Sequence, residues 1–136
     1  MYDIKERMQL NYILDENKDI NYNSSLSVAL MMHIYFYDKI DYCKKYAKSM
    51  PVGTDILIST DSKEKKEAIE KSFQSLKDYN VKVLLTQNRG RDVSALLVCF
   101  APYVSNYDLI CFVHDKKATQ STPYLIGEEF GYHCFE

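Results

Sequence analysis

The chain has 136 residues, 46% of them hydrophobic and 26% charged, and a formal net charge of −2 at pH 7. That is enough for one domain with a proper core and too little for two of ordinary size. The slightly acidic balance excludes the global basic field that draws in nucleic acid, so any anion site must be local.

In chain order, residues 1–25 are rich in Asn, Asp and Tyr and read as a helix around Ile4 to Leu14 followed by a linker. Leu26 to Phe36 is nearly all apolar, as a strand covered on both faces should be. The apolar run is interrupted by His33 and is far short of a membrane span, and the N-terminus shows no signal-peptide pattern. Residues 38 to 50 place Ile40, Cys43, Ala47 and Met50 on one helical face, with Asp38 as the expected N-cap. Asp55 to Thr60 reads as a second strand. The charged helix after it turns Ile69, Phe73 and Leu76 inward, and Asp61 and Glu64 are spaced as a capping box. Val81 to Thr86 is the third strand. Asp92 is the expected cap of a helix whose Val93, Leu96, Leu97, Phe100 and Val104 form one stripe, and Leu109 to His114 is the fourth strand. Residues 119–136 read as a loop and the start of a truncated C-terminal part. The alternation of strand and helix over residues 26–118 implies a three-layer α/β/α sandwich with a mostly parallel sheet.

The four cysteines, Cys43, Cys99, Cys111 and Cys134, form no C-x-x-C pair and have no zinc-like spacing. They read as free thiols of a reducing compartment, which points to the cytoplasm, with any membrane-surface association made through a larger assembly.

Ligands of an open parallel sheet bind outside the carboxyl ends of its strands. Those ends carry His33 to Asp38, Thr60-Asp61-Ser62, Asn88-Arg89-Gly90-Arg91-Asp92 and His114-Asp115-Lys116-Lys117. Taken singly, each has an ordinary explanation: His33 as a satisfied core histidine, Asp61 and Asp92 as helix caps, Asn88 and Gly90 as turn residues, the lysines as a solvated loop. Taken together they favour an anion-binding cleft. The chain has three arginines, and two of them fall in the glycine turn, where exposed N–H groups, a helix N-terminus and arginine forks suit phosphate oxygens. Neither a Walker A loop nor the dinucleotide G-x-G-x-x-G is present, which counts against ATPase and dehydrogenase readings. A flavodoxin-like domain would need a phosphate loop after the first strand, and residues 33 to 38 contain no glycine.

Four segments, HIYFYDKIDYC at 33–43, DILISTDSKEKK at 55–66, NRGRDVSALL at 88–97 and YDLICFVHDKK at 107–117, together resemble the rhamnan synthesis protein F family of bacterial polysaccharide-assembly proteins. The resemblance spans about residues 26 to 130. It implies a glycosyltransferase-related role in cell-surface polysaccharide synthesis, in rhamnan or lipopolysaccharide O-antigen. More loosely, the layout is similar to half of a GT-A nucleotide-diphosphosugar transferase. There an N-x-G turn opens the helix after the third strand, and a later Asp-x-Asp motif holds a divalent metal against the diphosphate. By position, Asn88 and Gly90 match the turn, and His114-Asp115-Lys116 falls at the metal motif.

Only Asp115 supplies a carboxylate there, and a lone Asp beside two ammonium groups is a poor Mg2+ or Mn2+ site. No metal is therefore expected, and a weak site at His114 and Asp115 is the disfavoured alternative. Arg89, Arg91, Lys116 and Lys117 are expected to neutralise the diphosphate instead. The resemblance implies a nucleotide sugar, dTDP-rhamnose by analogy, and a glycan acceptor as partners. His33 and Asp61 would approach the nucleoside, and Asn88, Gly90 and Asp92 would frame the phosphate or sugar. The carboxylates expected to serve catalysis are Glu128, Glu129 and Asp115. Against this stands a non-catalytic sugar- or phosphate-binding scaffold, which the missing Asp-x-Asp favours and which Tyr35, Phe36 and Tyr37 at the rim suit equally by stacking on sugars.

Overall fold

A computed structural model describes residues 26–87 and 89–117. The helix and linker expected over residues 1–25, and the tail expected over residues 119–136, lie outside the described residues. Four strands form one sheet: β1 (Val28–His33), β2 (Asp55–Thr60), β3 (Asn80–Leu85) and β4 (Leu109–His114). Their order is β3-β2-β1-β4, and every neighbouring pair is parallel. The α/β sandwich read from the sequence is the observed architecture.

Helices α1 (Ile40–Ala47) and α2 (Lys63–Phe73) cover one face. Alternation along the strands sends Leu30, Met32 and Ile34 of the β1 segment and Ile56 and Ile58 of β2 to that face. They pack there against Ile40, Cys43, Ala47, Ile69, Phe73 and Leu76, all buried. The opposite face is covered by α3 (Arg91–Ser94), a π-helical turn (Ala95–Cys99) and α4 (Ala101–Val104). Its buried set is smaller: Ala29, Met31, Leu57, Ala95 and Phe100.

Three expected helix caps are corrected. A 3-10 turn over Tyr37–Lys39 precedes α1, so Lys39 rather than Asp38 stands at the N-cap, and the Asp38 carboxylate accepts from Lys117 instead. In α2 the cap is Ser62, whose Oγ accepts from Lys65 N at 3.2 Å. Asp61 is drawn away to the Lys65 ammonium, 2.6 Å off at i,i+4 spacing. Gly90 caps α3 at φ 86°, a left-handed position that glycine adopts freely, and Asp92 falls in the first turn.

The stripe expected along 93–104 is also corrected. Phe100 N–H donates to Ala95 O at 2.9 Å, five residues back, and this single wide turn shifts the register of everything on either side of it. Pro102, which has no N–H to donate, is the second residue of α4, in the first turn where no intrahelical N–H bond is lost. Phe100 is buried and Leu96 packs against the core as expected, but Val93, Leu97 and Val104 face outward, Leu97 at 67% exposure. A period of 3.6 holds only for an unbroken α-helix.

Candidate functional site

The order β3-β2-β1-β4 reverses direction between β1 and β4, where an open parallel sheet leaves a crevice at its carboxyl edge. Three polar residues form a row beside that point. His33 is the register partner of Ser59 on one side and of His114 on the other. All three sit on the α3/α4 face, following Met31, Leu57 and Phe112 by two residues each.

The glycine loop reaches this row from the far edge of the sheet. Leu85 ends β3, three strands from β4, or on the order of 14 Å at the usual strand spacing. Seven residues later the Asp92 carboxylate lies 3.4 Å from His114 Nε2. The run from Thr86 to Asp92 therefore crosses the carboxyl ends of the strands, tied down on the way by Thr86 N–H donating to Thr60 O. Gly90 and Arg91 are both left-handed, at φ 86° and 53°, and Arg91 is the only non-glycine with positive φ among the described residues. Such a conformation costs an L-residue on the order of 1 kcal/mol, and strain of this kind tends to collect at ligand sites.

His33 is 4% exposed and its Nδ1 lies 2.8 Å from Ser59 Oγ. Burial holds its pKa below 6.5, against the opposing pull of the Asp92 and Asp61 carboxylates, so the ring is neutral at pH 7. His114 is more open. Its Nδ1 is 3.0 Å from Asp115 O, and because a carbonyl only accepts, Nδ1 carries the proton. Nε2 then faces Asp92.

Asp115 points to the other side. It is 6% exposed, and its Oδ2 accepts from the backbone N–H of Tyr35 at 3.0 Å and of Phe36 at 2.6 Å. Its own N–H continues the ladder to His33 O. Burial raises its pKa, and the two amides oppose that rise. This carboxylate ties the loop after β1 to the end of β4, and so holds the walls of the crevice together. Among the described residues no group of three His, Cys, Asp or Glu side chains is placed to hold a metal ion.

The loop that Asp115 holds presents an aromatic pair. Tyr35 and Phe36 meet edge to face, centroids 5.0 Å apart. The Lys65 ammonium lies 4.2 Å from the Tyr35 centroid, and Lys117 lies 5.9 Å from that of Phe36 while bonding Asp38 at 2.9 Å. Of the residues singled out from the sequence, His33, Asp61, Asp92 and His114 converge on the crevice, and Arg89, Gly90 and Arg91 are exposed on the loop above it. Lys116 is exposed and Lys117 is turned to Asp38. Asn88, Glu128 and Glu129 lie outside the described residues. Sequence reasoning missed Ser59 and Lys65. Ser59 breaks an apolar alternation in the same phase as His33, and Lys65 stands four residues after Asp61, which is the signal that identifies each.

The family model described as rhamnan synthesis protein F matches residues 1–136, and the chain belongs to that family. Its place is thus in rhamnan polysaccharide synthesis. No curated protein and no solved structure matches the chain. Among the described residues no helix is long and apolar enough to cross a membrane.

Proposed function

We propose that the carboxyl rim of this sheet binds a nucleotide-diphosphosugar, dTDP-rhamnose by family analogy, in rhamnan synthesis. The observation that carries the reading is the loop from Thr86 to Asp92, which crosses the strand ends to meet His114 at the β1/β4 crevice. Arg89 and Arg91 are exposed on that loop, where their guanidinium forks suit a diphosphate. The neutral His33 and the carboxylate of Asp61 lie deeper and suit the hydrogen-bonding edge of a nucleoside or sugar. Tyr35 and Phe36 offer ring faces at the rim. Arginine rather than a divalent cation supplies the positive charge in this reading.

The test is calorimetric titration of the chain with dTDP, UDP and GDP, with and without Mn2+, beside Arg91→Ala. Metal-independent binding of one nucleotide, weakened at least tenfold by a loss of about 1.4 kcal/mol in the variant, is the expected result. A folded chain that binds none of the three nucleotides sinks the donor-site reading.

A non-catalytic scaffold within the same assembly is the second reading. It is favoured by where two polar groups of the last loop are spent: Asp115 on backbone amides and Lys117 on Asp38. The same titration decides, because a scaffold has no reason to prefer one nucleobase.

A further inference from the structure

The donor-site reading leaves the proton of the attacking hydroxyl without a recipient among the described residues named for that task, since Asp115 is committed to Tyr35 and Phe36. Resting on that reading, we propose that His114 is the base that takes this proton and that Asp92 is the positioning residue that holds the resulting imidazolium.

His114 has the attributes a base needs. Its tautomer is set by the backbone: the Asp115 carbonyl, 3.0 Å from Nδ1, keeps a proton there, so that in the neutral ring the lone pair lies on Nε2. The ring is anchored on one side and half-exposed on the other, with 34% of its side chain reachable. It stands at the carboxyl end of β4, next to the point where the strand order reverses. His33 beside it is unsuited, being buried and engaged with Ser59. The groups around His114 are Asp92 from α3, His33 from β1 and its own neighbour Asp115, with Asp61 and Lys65 beyond His33.

Asp92 completes the arrangement. Its Oδ2 is 3.4 Å from Nε2, close enough to accept from a protonated ring and loose enough to admit a hydroxyl alongside. In the transfer, Nε2 takes the hydroxyl proton as the hydroxyl oxygen bonds to the anomeric carbon. The bond from that carbon to the diphosphate oxygen breaks, and its electron pair leaves with the diphosphate. The proton remains on Nε2, and the positive ring faces Asp92. The loop that brings Asp92 across the sheet is the one carrying Arg89 and Arg91, so binding the diphosphate and setting the base depend on one segment.

The probe is dTDP-rhamnose with water as the nucleophile, and the readout is release of dTDP by the chain. His114→Asn is the informative variant because its side-chain amide can keep the donation to the Asp115 carbonyl while removing Nε2. It is expected to lower kcat about 100-fold and leave dTDP affinity within about threefold. Asp92→Asn is expected to lower kcat roughly tenfold at unchanged KM. His114→Ala, with the ring deleted, is expected to regain rate when imidazole is added, a rescue that a purely structural histidine would not show. Turnover by His114→Asn equal to wild type overturns the proposal, as does a wild type that binds dTDP but never releases it from the sugar nucleotide. In both of those outcomes the donor site stands. Failure of the folded wild type to bind any of dTDP, UDP and GDP removes the donor site, and the proposal with it.

Discussion

On the α1/α2 face the first segment stays apolar to its end through Leu30, Met32 and Ile34, and β2 presents Ile56 and Ile58 before closing on the buried Thr60. On the α3/α4 face the same strands change character at their last inward position. Met31 gives way to His33, Leu57 to Ser59 and Phe112 to His114. One sheet therefore has a face that is core with its rim polar groups, Thr60 and Asp115, buried, and a face that is core below and a row of histidines and serine above. The coverings differ in the same sense. The first face is closed by two regular helices with buried ridges, the second by short helical pieces around a π turn, with Val93, Leu97 and Val98 facing out. Regular packing stabilises the fold on one side so that irregular backbone can be tolerated on the other.

The sharpest way to break this division is to damage the first face. Phe73 is 1% exposed and belongs to the α1/α2 cluster. Phe73→Ala is expected to cost about 3–5 kcal/mol in urea denaturation, enough to unfold a marginal domain. If the loss is under about 1 kcal/mol, that face is not the principal core.

Next in size is the carboxylate that joins the two sides of the crevice. Asp115→Ala removes the acceptor of two backbone amides and is expected to cost about 2–3 kcal/mol. Asp115→Asn retains one acceptor oxygen and sheds the buried charge, so its loss should be smaller. Equal losses in the two variants would show that charge, not amide satisfaction, is what the site requires.

Much of this division was legible in the sequence. Four strands, their parallel character and the inward residues of α1 and α2 followed from period and composition, because regular elements repeat their pattern over several turns. The boundaries of β2 and β4 came out as observed. What escaped were single residues with competing partners. Asp38 and Asp61 have the chemistry of caps, but Lys117 from the last loop claimed the first and Lys65, four residues on, the second. The stripe through Leu97 and Val104 failed because one wide turn is invisible to a periodicity of 3.6. The convergence of Asp92 on His114 depends on a loop crossing the sheet, and nothing local in the sequence encodes that path.

A pH titration of stability sharpens the comparison at the boundary between core and chemistry. His33 is buried with its pKa depressed, so between 6.5 and its lower folded value the unfolded chain binds more protons than the folded one. Its contribution is therefore complete above pH 6.5 and is lost as the pH falls through that window. Asp115, with a raised pKa, acts in the opposite direction above pH 3.8. The expected outcome is a fall in stability on going from pH 7 to pH 5 that His33→Gln lacks. An identical slope in the variant would place the titrating group elsewhere.

The smallest expected effect has the opposite sign, and it concerns the strained backbone of the second face. Arg91 holds φ 53° directly after Gly90 at φ 86°. Glycine adopts this conformation without steric penalty but loses more entropy on folding, so Arg91→Gly relieves strain and pays part of it back. A net gain of up to about 1 kcal/mol in stability is expected, together with weaker dTDP binding because the guanidinium is gone. Gly90→Ala is the counterpart: a Cβ there would lie 3.0 Å from Ser94 Cβ in a conformation that alanine resists, so it should destabilise. If Arg91→Gly instead loses stability and keeps its affinity for dTDP, the strain at this turn serves the fold and not the ligand. The contrast between the two faces would then rest on the histidine row alone.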